Sequence, residues 1–179
     1  MQIAIIIVIL LIVVYVVFKV LTSGSSDMSK GDTSVQWKYH MERAQKIQPD
    51  SKKQAFVTAF SSAGADVFLR DVDLPVLPLM ALSAWETGWG LSHAALEHNN
   101  LWGISTDGVP RPYAGLTDSF DAMKGVMYLP RYAAALRVKY QPEAFIRALR
   151  AGGYNSDQSW EDGIIRLISE IRPLLRGSA

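Results

Sequence analysis

WETGWG, residues 85–90, and NNLWGI, residues 99–104, decide the fold of this 179-residue chain and indicate its chemistry. Together they place one acid, Glu86, close in sequence to three tryptophans, which are Trp85, Trp89 and Trp102. Indole faces stack on the apolar faces of sugar rings, and apolar surroundings disfavour an ionised carboxylate, which raises its pKa toward the range of a general acid. The combination indicates cleavage of a glycosidic bond.

The segment before Glu86 predicts a helix that carries this acid on an inward face. Two prolines mark the helix start, and Leu79, Leu82 and Glu86 follow at i, i+3 and i+7. An acid on an apolar stripe is costly unless it is paired or takes part in chemistry. One alternative stays open, in which Glu86 is a surface residue near a helix end at Gly88 and the tryptophans form the core.

Five short motifs follow one another along the chain. They are QAFVTAF at 54–60, LSAWETGWGLS at 82–92, NNLWGI at 99–104, PRYA at 130–133 and GYNSD at 153–157. In this order, between residue 51 and about residue 171, they resemble the glucosaminidase family of peptidoglycan hydrolases (glycoside hydrolase family 73). The resemblance implies a mainly α, lysozyme-like helical domain with a short irregular or β-hairpin lobe. It also implies endo-β-N-acetylglucosaminidase activity on peptidoglycan glycan strands, with Glu86 as the general acid.

Periodicity and turn residues predict the elements of this domain. Helices are expected at 51–69, with Ser51 as the cap, and at 76–87, 92–97, 119–127, 132–138, 142–151 and 160–175. Glycines and prolines between residues 104 and 117 interrupt the helical period and predict a loop or a small β-hairpin.

A glycosidase commonly pairs its acid with a second carboxylate. No glutamate lies between residues 97 and 143, so the local candidates are Asp107, Asp118 and Asp121. The last two open a helix, where carboxylates usually serve as caps. Asp107 precedes a glycine and is typical of a turn, yet it is the leading candidate for the base. Two routes that need only Glu86 stay open: attack by the substrate's own N-acetyl carbonyl, and a lytic transglycosylase reaction that closes an anhydro ring.

Further residues are candidates for contacts with the substrate. Tyr154, in GYNSD, matches a family tyrosine that orients or stabilises the sugar ring, and core packing against Trp160 is the alternative. Asn99 and Asn100 are candidates for hydrogen bonds to N-acetyl groups, although fixing the turn is the favoured role. The other predicted substrate contacts are Trp85, Trp89, Trp102 and Tyr113.

The N-terminus predicts a membrane anchor. From residue 3 to residue 21 every side chain is apolar except Tyr15 and Lys19, and at about 1.5 Å a residue this length matches the hydrocarbon thickness of a bilayer. We therefore expect residues 1–22 to form one transmembrane helix that contacts the lipid bilayer through residues 3–21. A cleaved signal peptide is the alternative.

Residues 23–50 are expected to tether this anchor to a catalytic domain at 51–175. The tether begins rich in serine, glycine and aspartate, which is typical of a flexible linker. Its later part predicts an amphipathic helix, because Trp37, Met41 and Ala44 recur at helical spacing. Packing of this helix on the domain is favoured over packing on the membrane surface.

The charge pattern and the predicted chemistry favour opposite orientations of the membrane anchor. No lysine or arginine precedes the apolar run, whereas lysines follow it, which favours a cytoplasmic domain. A wall hydrolase must act outside the inner membrane, and large domains translocate despite a small charge bias. We therefore expect a single-pass membrane protein whose catalytic domain faces the peptidoglycan, in a bacterial cell envelope or in the membrane of a membrane-containing phage virion.

Composition argues against several other classes of protein and of binding site. A net charge of +1 without a basic stripe argues against nucleic acid, and the lack of cysteine excludes disulfides and thiolate metal sites. The three histidines show no zinc spacing, so neither a metal nor a cofactor is expected. Three alternative functions stay open: an N-acetylmuramidase, a lytic transglycosylase and a non-catalytic peptidoglycan-binding module. The sequence does not indicate the oligomeric state.

Overall fold

The computed structural model describes residues 37–39, 41–43, 49–70 and 74–176. The predicted transmembrane helix, within residues 1–22, lies outside this part of the chain. Among the described helices, none combines the length and the apolar character needed to cross a bilayer. The bilayer contact through residues 3–21 therefore stays a prediction from the sequence.

From residue 49 onward, the described chain forms seven α-helices and one β-hairpin. The helices are α1 (Pro49–Arg70), α2 (Val76–Thr87), α3 (His93–His98), α4 (Leu116–Met127), α5 (Ala133–Arg137), α6 (Pro142–Ala151) and α7 (Gln158–Arg176). Between α3 and α4, strands β1 (Ser105–Thr106) and β2 (Val109–Pro110) pair antiparallel, and a 3-10 turn (Pro130–Tyr132) precedes α5. This mainly helical arrangement with its short hairpin fits the predicted lysozyme-like fold.

Two of the helices begin earlier than predicted and without the predicted capping residue. α1 begins at Pro49, which is at home in a first helical turn, so Ser51 lies within that turn and is not the cap. α4 begins at Leu116 with Gly115 as its N-cap and without a capping side-chain hydrogen bond. Asp118 is therefore a first-turn residue, where its charge is favourable to the helix dipole, and its expected role as a cap is wrong.

α2 is the central helix of the domain. Leu79, Met80, Leu82 and Ala84 are each at most 1% exposed, and α7 packs most extensively along the helix. Residues 78–84 are all buried, so the middle of α2 has no solvent face and the predicted apolar stripe was too narrow a description. Glu86 reaches the surface because it stands one residue before the end of α2.

The turn after α2 runs through three consecutive left-handed residues. Gly88, Trp89 and Gly90 have φ values of 58°, 65° and 77°. Thr87 ties the helix end to this turn: its hydroxyl accepts a hydrogen bond from the Gly90 N–H at 2.7 Å and donates one to the Ser83 carbonyl at 2.6 Å. The two glycines adopt this conformation at little cost, which explains the sequence GWG.

The described part of the predicted amphipathic helix packs on the domain. Residues 37–39 and 41–43 are helical, and Trp37 and Met41 are buried. The Trp37 ring meets Phe56 edge to face, with ring centroids 5.8 Å apart. A Cβ built on Gly90 would lie 2.6 Å from Trp37 Cζ2, so the indole fills the space that this glycine leaves.

Candidate active site

A cavity of about 420 Å³ opens beside the C-terminal end of α2. This volume lies in the usual range of ligand pockets, about 300–1,000 Å³. Its lining comes from α2, from the segment after α3, from α4 and from the residues just before α5 and just after α6. The lining residues are Glu86, Trp102, Gly103, Ile104, Ser105, Val126, Arg131, Tyr132, Gly153, Tyr154 and Asn155.

Glu86 lies half-buried in this lining. Its Oε1 accepts a hydrogen bond from the indole N–H of Trp160 on α7 at 3.1 Å. Burial raises the pKa of the Glu86 carboxyl, and the Trp160 hydrogen bond opposes this rise only in part. The side chain therefore holds its proton to a higher pH than a free glutamate does, as a general acid requires.

Gly103 brings the backbone against this carboxyl. Its φ is +64°, and a Cβ built on it would lie 3.1 Å from Glu86 Oε2. Both the left-handed backbone and the close approach favour glycine at this position. The NNLWGI turn thus forms one wall of the space around the acid.

Asn100 fixes that wall. Its Nδ2 donates to the carbonyls of Ile104 and Arg111 at 2.7 and 3.0 Å. Its Oδ1 accepts from the N–H groups of Trp102 and Ile104, both at 3.2 Å. These four bonds use both donors and both lone pairs of the amide. The neighbouring Asn99 donates to the Tyr113 carbonyl at 3.0 Å, so both asparagines are placed to fix the turn.

Tyr132, Tyr154 and Trp160 form an aromatic stack under the cavity. The ring centroids of Tyr132 and Tyr154 lie 5.9 Å apart, and those of Tyr154 and Trp160 lie 5.5 Å apart with planes inclined by 28°. Burial raises the pKa of Tyr154, and the nearby Glu86 carboxyl raises it further. Tyr154 is thus a neutral phenol that both lines the cavity and packs on Trp160, and its contact with the sugar ring stays a prediction.

The three tryptophans near Glu86 in sequence do not surround it. Trp102 lines the cavity, and its indole N–H donates to the Ser119 carbonyl at 2.9 Å. Trp85 is 38% exposed and lies over Gly163 of α7, where its ring leaves no room for a Cβ. Trp89 packs edge to face on Phe56, with ring centroids 5.7 Å apart. Trp85 and Trp89 therefore lie outside the cavity lining.

Trp160 is the tryptophan that contacts the acid, 74 residues away from it along the chain. The sequence interpretation placed Trp160 only in the core, as a partner of Tyr154. The sequence did hold a signal for this contact, because Trp160, near the start of α7, closely follows the GYNSD motif. Arg131 and Asn155 also line the cavity and were not predicted.

The carboxylates considered as a second catalytic group lie elsewhere. Asp107 is exposed at the tip of the hairpin, where it and Gly108 have φ values of 52° and 79°, as in a two-residue type I′ turn. Asp121 is exposed on α4, and Asp118 is half-buried in its first turn. Among the described residues that line the cavity, Glu86 is the only acid.

Tyr113 also lies outside the cavity lining. Burial raises the pKa of its phenol, although the guanidinium of Arg111 nearby works against this rise. The Arg111 guanidinium lies 5.5 Å from the ring centroid. The Tyr113 hydroxyl is buried and has no hydrogen-bond partner among the described residues.

Comparison with known proteins identifies the family of the chain. The family named Glucosaminidase, described as mannosyl-glycoprotein endo-beta-N-acetylglucosaminidase, matches residues 63–173, which is more than half of the chain. The peptidoglycan hydrolase FlgJ of Vibrio parahaemolyticus serotype O3:K6 is 28% identical over 124 residues, which cover 54% of this chain and 40% of that protein.

A second relative with the same name matches over a longer stretch of the chain. The peptidoglycan hydrolase FlgJ of Vibrio cholerae serotype O1 is 28% identical over 163 residues, which cover 74% of this chain and 48% of the relative. This chain spans less than half the length of each of the two relatives. No solved structure matches it significantly.

Proposed function

We infer that this chain, which belongs to the glucosaminidase family of peptidoglycan hydrolases, cleaves the β-1,4 glycosidic bond of peptidoglycan glycan strands with Glu86 as the general acid. The observation that carries the proposal is the half-buried Glu86 carboxyl in the cavity lining, held by the indole N–H of Trp160 at 3.1 Å. The names of the two relatives support peptidoglycan as the substrate.

The hydrogen bonding of Glu86 indicates which oxygen donates the proton. The Trp160 N–H occupies Oε1, so the proton of the neutral acid resides on Oε2, the oxygen beside Gly103. In this proposal Oε2 protonates the glycosidic oxygen as the bond to the anomeric carbon breaks. Tyr154 and Trp102 contact the sugar from the same lining.

The remaining step needs an attacking group. Because the described cavity lining holds no second carboxylate, we favour attack by the substrate's own N-acetyl carbonyl, with Glu86 then activating water. Asp107 as the base would require the hairpin tip to move toward the cavity. Asp107→Asn separates these routes: the variant keeps its kcat in the first and loses it in the second.

The decisive experiment is Glu86→Gln in a wall-lysis assay. The amide keeps the shape and can accept the Trp160 hydrogen bond, but it has no proton to donate, so kcat should fall by about 100- to 10,000-fold. Glu97→Gln is the matched control, because Glu97 is exposed on α3 and pairs with Lys38 at 2.8 Å, away from the cavity. Substantial residual turnover by Glu86→Gln would remove the assignment.

Product analysis distinguishes the alternatives. Mass spectrometry of the digested wall should find reducing N-acetylglucosamine ends, whereas an N-acetylmuramidase leaves reducing muramic ends and a lytic transglycosylase leaves 1,6-anhydro muramic ends. The single acid in the described lining makes the transglycosylase the second candidate. Binding of glycan by the wild-type chain with no clearing at any pH would favour a non-catalytic binding module.

The placement of the enzyme is part of the proposal. The apolar run at residues 3–21 supports a single-pass anchor that holds the domain toward the peptidoglycan, in a bacterial envelope or in the membrane of a phage virion. Fractionation of cells that express the chain with and without residues 1–22 tests this placement. Recovery of both forms in the soluble fraction would contradict the anchor.

A further inference from the structure

Arg131 is the unexplained charge of the cavity. It lines the cavity together with Glu86, and these two are the only charged residues among the described lining residues. A carboxyl that acts as a proton donor is neutral when substrate binds. The lining therefore presents a net positive charge to the glycan, which a neutral sugar polymer does not need.

The surroundings of Arg131 hold its guanidinium in place. The guanidinium carbon lies 4.8 Å from the ring centroid of Tyr132, which is 2% exposed and belongs to the aromatic stack. At the backbone, a Cβ built on Gly152 would lie 2.6 Å from the Arg131 carbonyl oxygen, so the backbone at Arg131 packs closely against Gly152. An arginine stacked on an aromatic face keeps the N–H groups of its guanidinium edge free to donate hydrogen bonds.

That N–H edge is available to a ligand. The Arg131 side chain is exposed, and it forms no ion pair with any residue that the structure describes. A planar guanidinium presents donors in a fork that matches the two oxygens of a carboxylate. The chemistry of the site therefore fits an anionic ligand group beside the scissile bond.

We propose that Arg131 binds a carboxylate carried by the muramyl residues of the glycan strand and so selects peptidoglycan over neutral N-acetylglucosamine polymers. The proposal rests on the function given above and names the feature of the substrate that the same cavity recognises. Two sources carry this chemistry. One is the free lactyl carboxylate of a strand stripped of its peptides, and the other is a carboxylate of the stem peptide.

The test compares the full chain and its Arg131→Gln variant on three substrates: peptide-bearing peptidoglycan, the same glycan after an amidase has removed its peptides, and chitin oligomers. Loss of a charge-assisted bidentate contact should lower kcat/KM by about tenfold, mainly through KM, on one or both anionic substrates, with no change on chitin oligomers. Arg137→Gln is the matched control, since Arg137 is an exposed arginine of α5 outside the cavity lining.

The pattern of losses identifies the carboxylate. A loss confined to peptide-bearing glycan assigns the stem peptide, and a loss on stripped glycan assigns the lactyl group. Arg131→Lys, which keeps the charge but not the fork, should recover part of the lost affinity. An equal loss on chitin oligomers, or no loss on either anionic substrate, overturns the proposal.

A binding measurement keeps this result separate from the catalytic proposal. In the Glu86→Gln background, tryptophan fluorescence reports the affinity for soluble peptidoglycan fragments without turnover. Adding Arg131→Gln should weaken that affinity by about tenfold for anionic fragments and leave it unchanged for chitin oligomers. An unchanged affinity for anionic fragments refutes the role of Arg131 even if Glu86 proves to be the acid.

Discussion

The two sides of the WETGWG segment, residues 85–90, differ in almost every physical respect. On the cavity side, Glu86 is half-buried, polar and open to a ligand, and one hydrogen bond from Trp160 holds it. On the opposite side, Gly90 is covered by Trp37, and Trp89 packs on Phe56. The contrast shows how a short motif can place an acid: apolar packing behind the turn secures the backbone from which Glu86 projects.

This division has an energetic reason. Burial that raises the pKa of Glu86 also disfavours its charged form, so above its ordinary titration range this carboxyl lowers the stability of the folded chain. On the opposite side, the burial of large aromatic rings stabilises the folded chain. Variants on the two sides should therefore differ in what they damage, the fold or the chemistry.

Trp37→Ala should have the largest effect on the fold. Removing a buried indole leaves a cavity between Phe56 and Gly90, and we expect a loss of about 3–5 kcal/mol of unfolding free energy, measured by urea denaturation. The alkaline limb of the kcat/KM profile should stay where it is, because Trp37 does not contact Glu86. Movement of that limb would show that the two sides are not independent.

Trp37→Phe is the control for this variant. The indole N–H of Trp37 is buried without a hydrogen-bond partner among the described residues, and phenylalanine removes that unsatisfied donor while keeping a ring. The loss of stability should therefore be clearly smaller than for alanine. Equal losses would mean that the ring contributes little packing.

Gly90→Ala should have an intermediate effect, because the added methyl group meets Trp37 at 2.6 Å, which costs about 1–3 kcal/mol beyond the strain of a left-handed alanine. Gly88→Ala is the matched control: Gly88 is also left-handed, but nothing lies within 4 Å of an added Cβ. The control should cost about 1–2 kcal/mol for the backbone alone, with no term for crowding. In a Trp37→Ala background the cost of Gly90→Ala should fall to that of the control.

Trp160→Phe should have the smallest effect on folding and a specific effect on the cavity side. It removes the N–H that donates to Glu86, and since that hydrogen bond lowers the pKa of the acid, its loss should raise the pKa further. Activity requires the protonated acid and is lost as the pH rises through its pKa, so the alkaline limb of kcat/KM should move to higher pH. A uniform loss of rate with an unmoved limb would instead indicate simple repacking.

The domain core was largely predictable because its signals are local. Periodic apolar residues and prolines predicted α2 and α6 with their observed bounds, and the glycines and prolines after Ile104 predicted a loop or a small hairpin, of which the structure has the hairpin. The start of α4 was missed because Gly115 begins it without a capping side chain, which leaves no residue type to recognise. The buried surroundings of α2 were missed because periodicity cannot distinguish one buried face from several.

The candidate site was predictable where its residues lie in the short motifs, as Tyr154 of GYNSD also does. Glu86 and Trp102 line the cavity as expected, and Asn100 holds the turn through four hydrogen bonds. Trp85 stands next to Glu86 in the sequence but points toward Gly163, because adjacent residues on a helix face about 100° apart. Sequence proximity was therefore a poor guide to which indole meets the acid.

The sequence by itself determined the family and the helical framework and pointed to Glu86 as the candidate acid, because each is encoded in short motifs whose local geometry repeats wherever they occur. Only the tertiary structure decided the surroundings of that acid. Packing α7 along α2 brings Trp160 and the aromatic stack to Glu86, and the turn at Asn100 brings Gly103 to its other oxygen. These contacts join residues far apart in the chain, and no local pattern encodes which distant side chains meet when the helices pack.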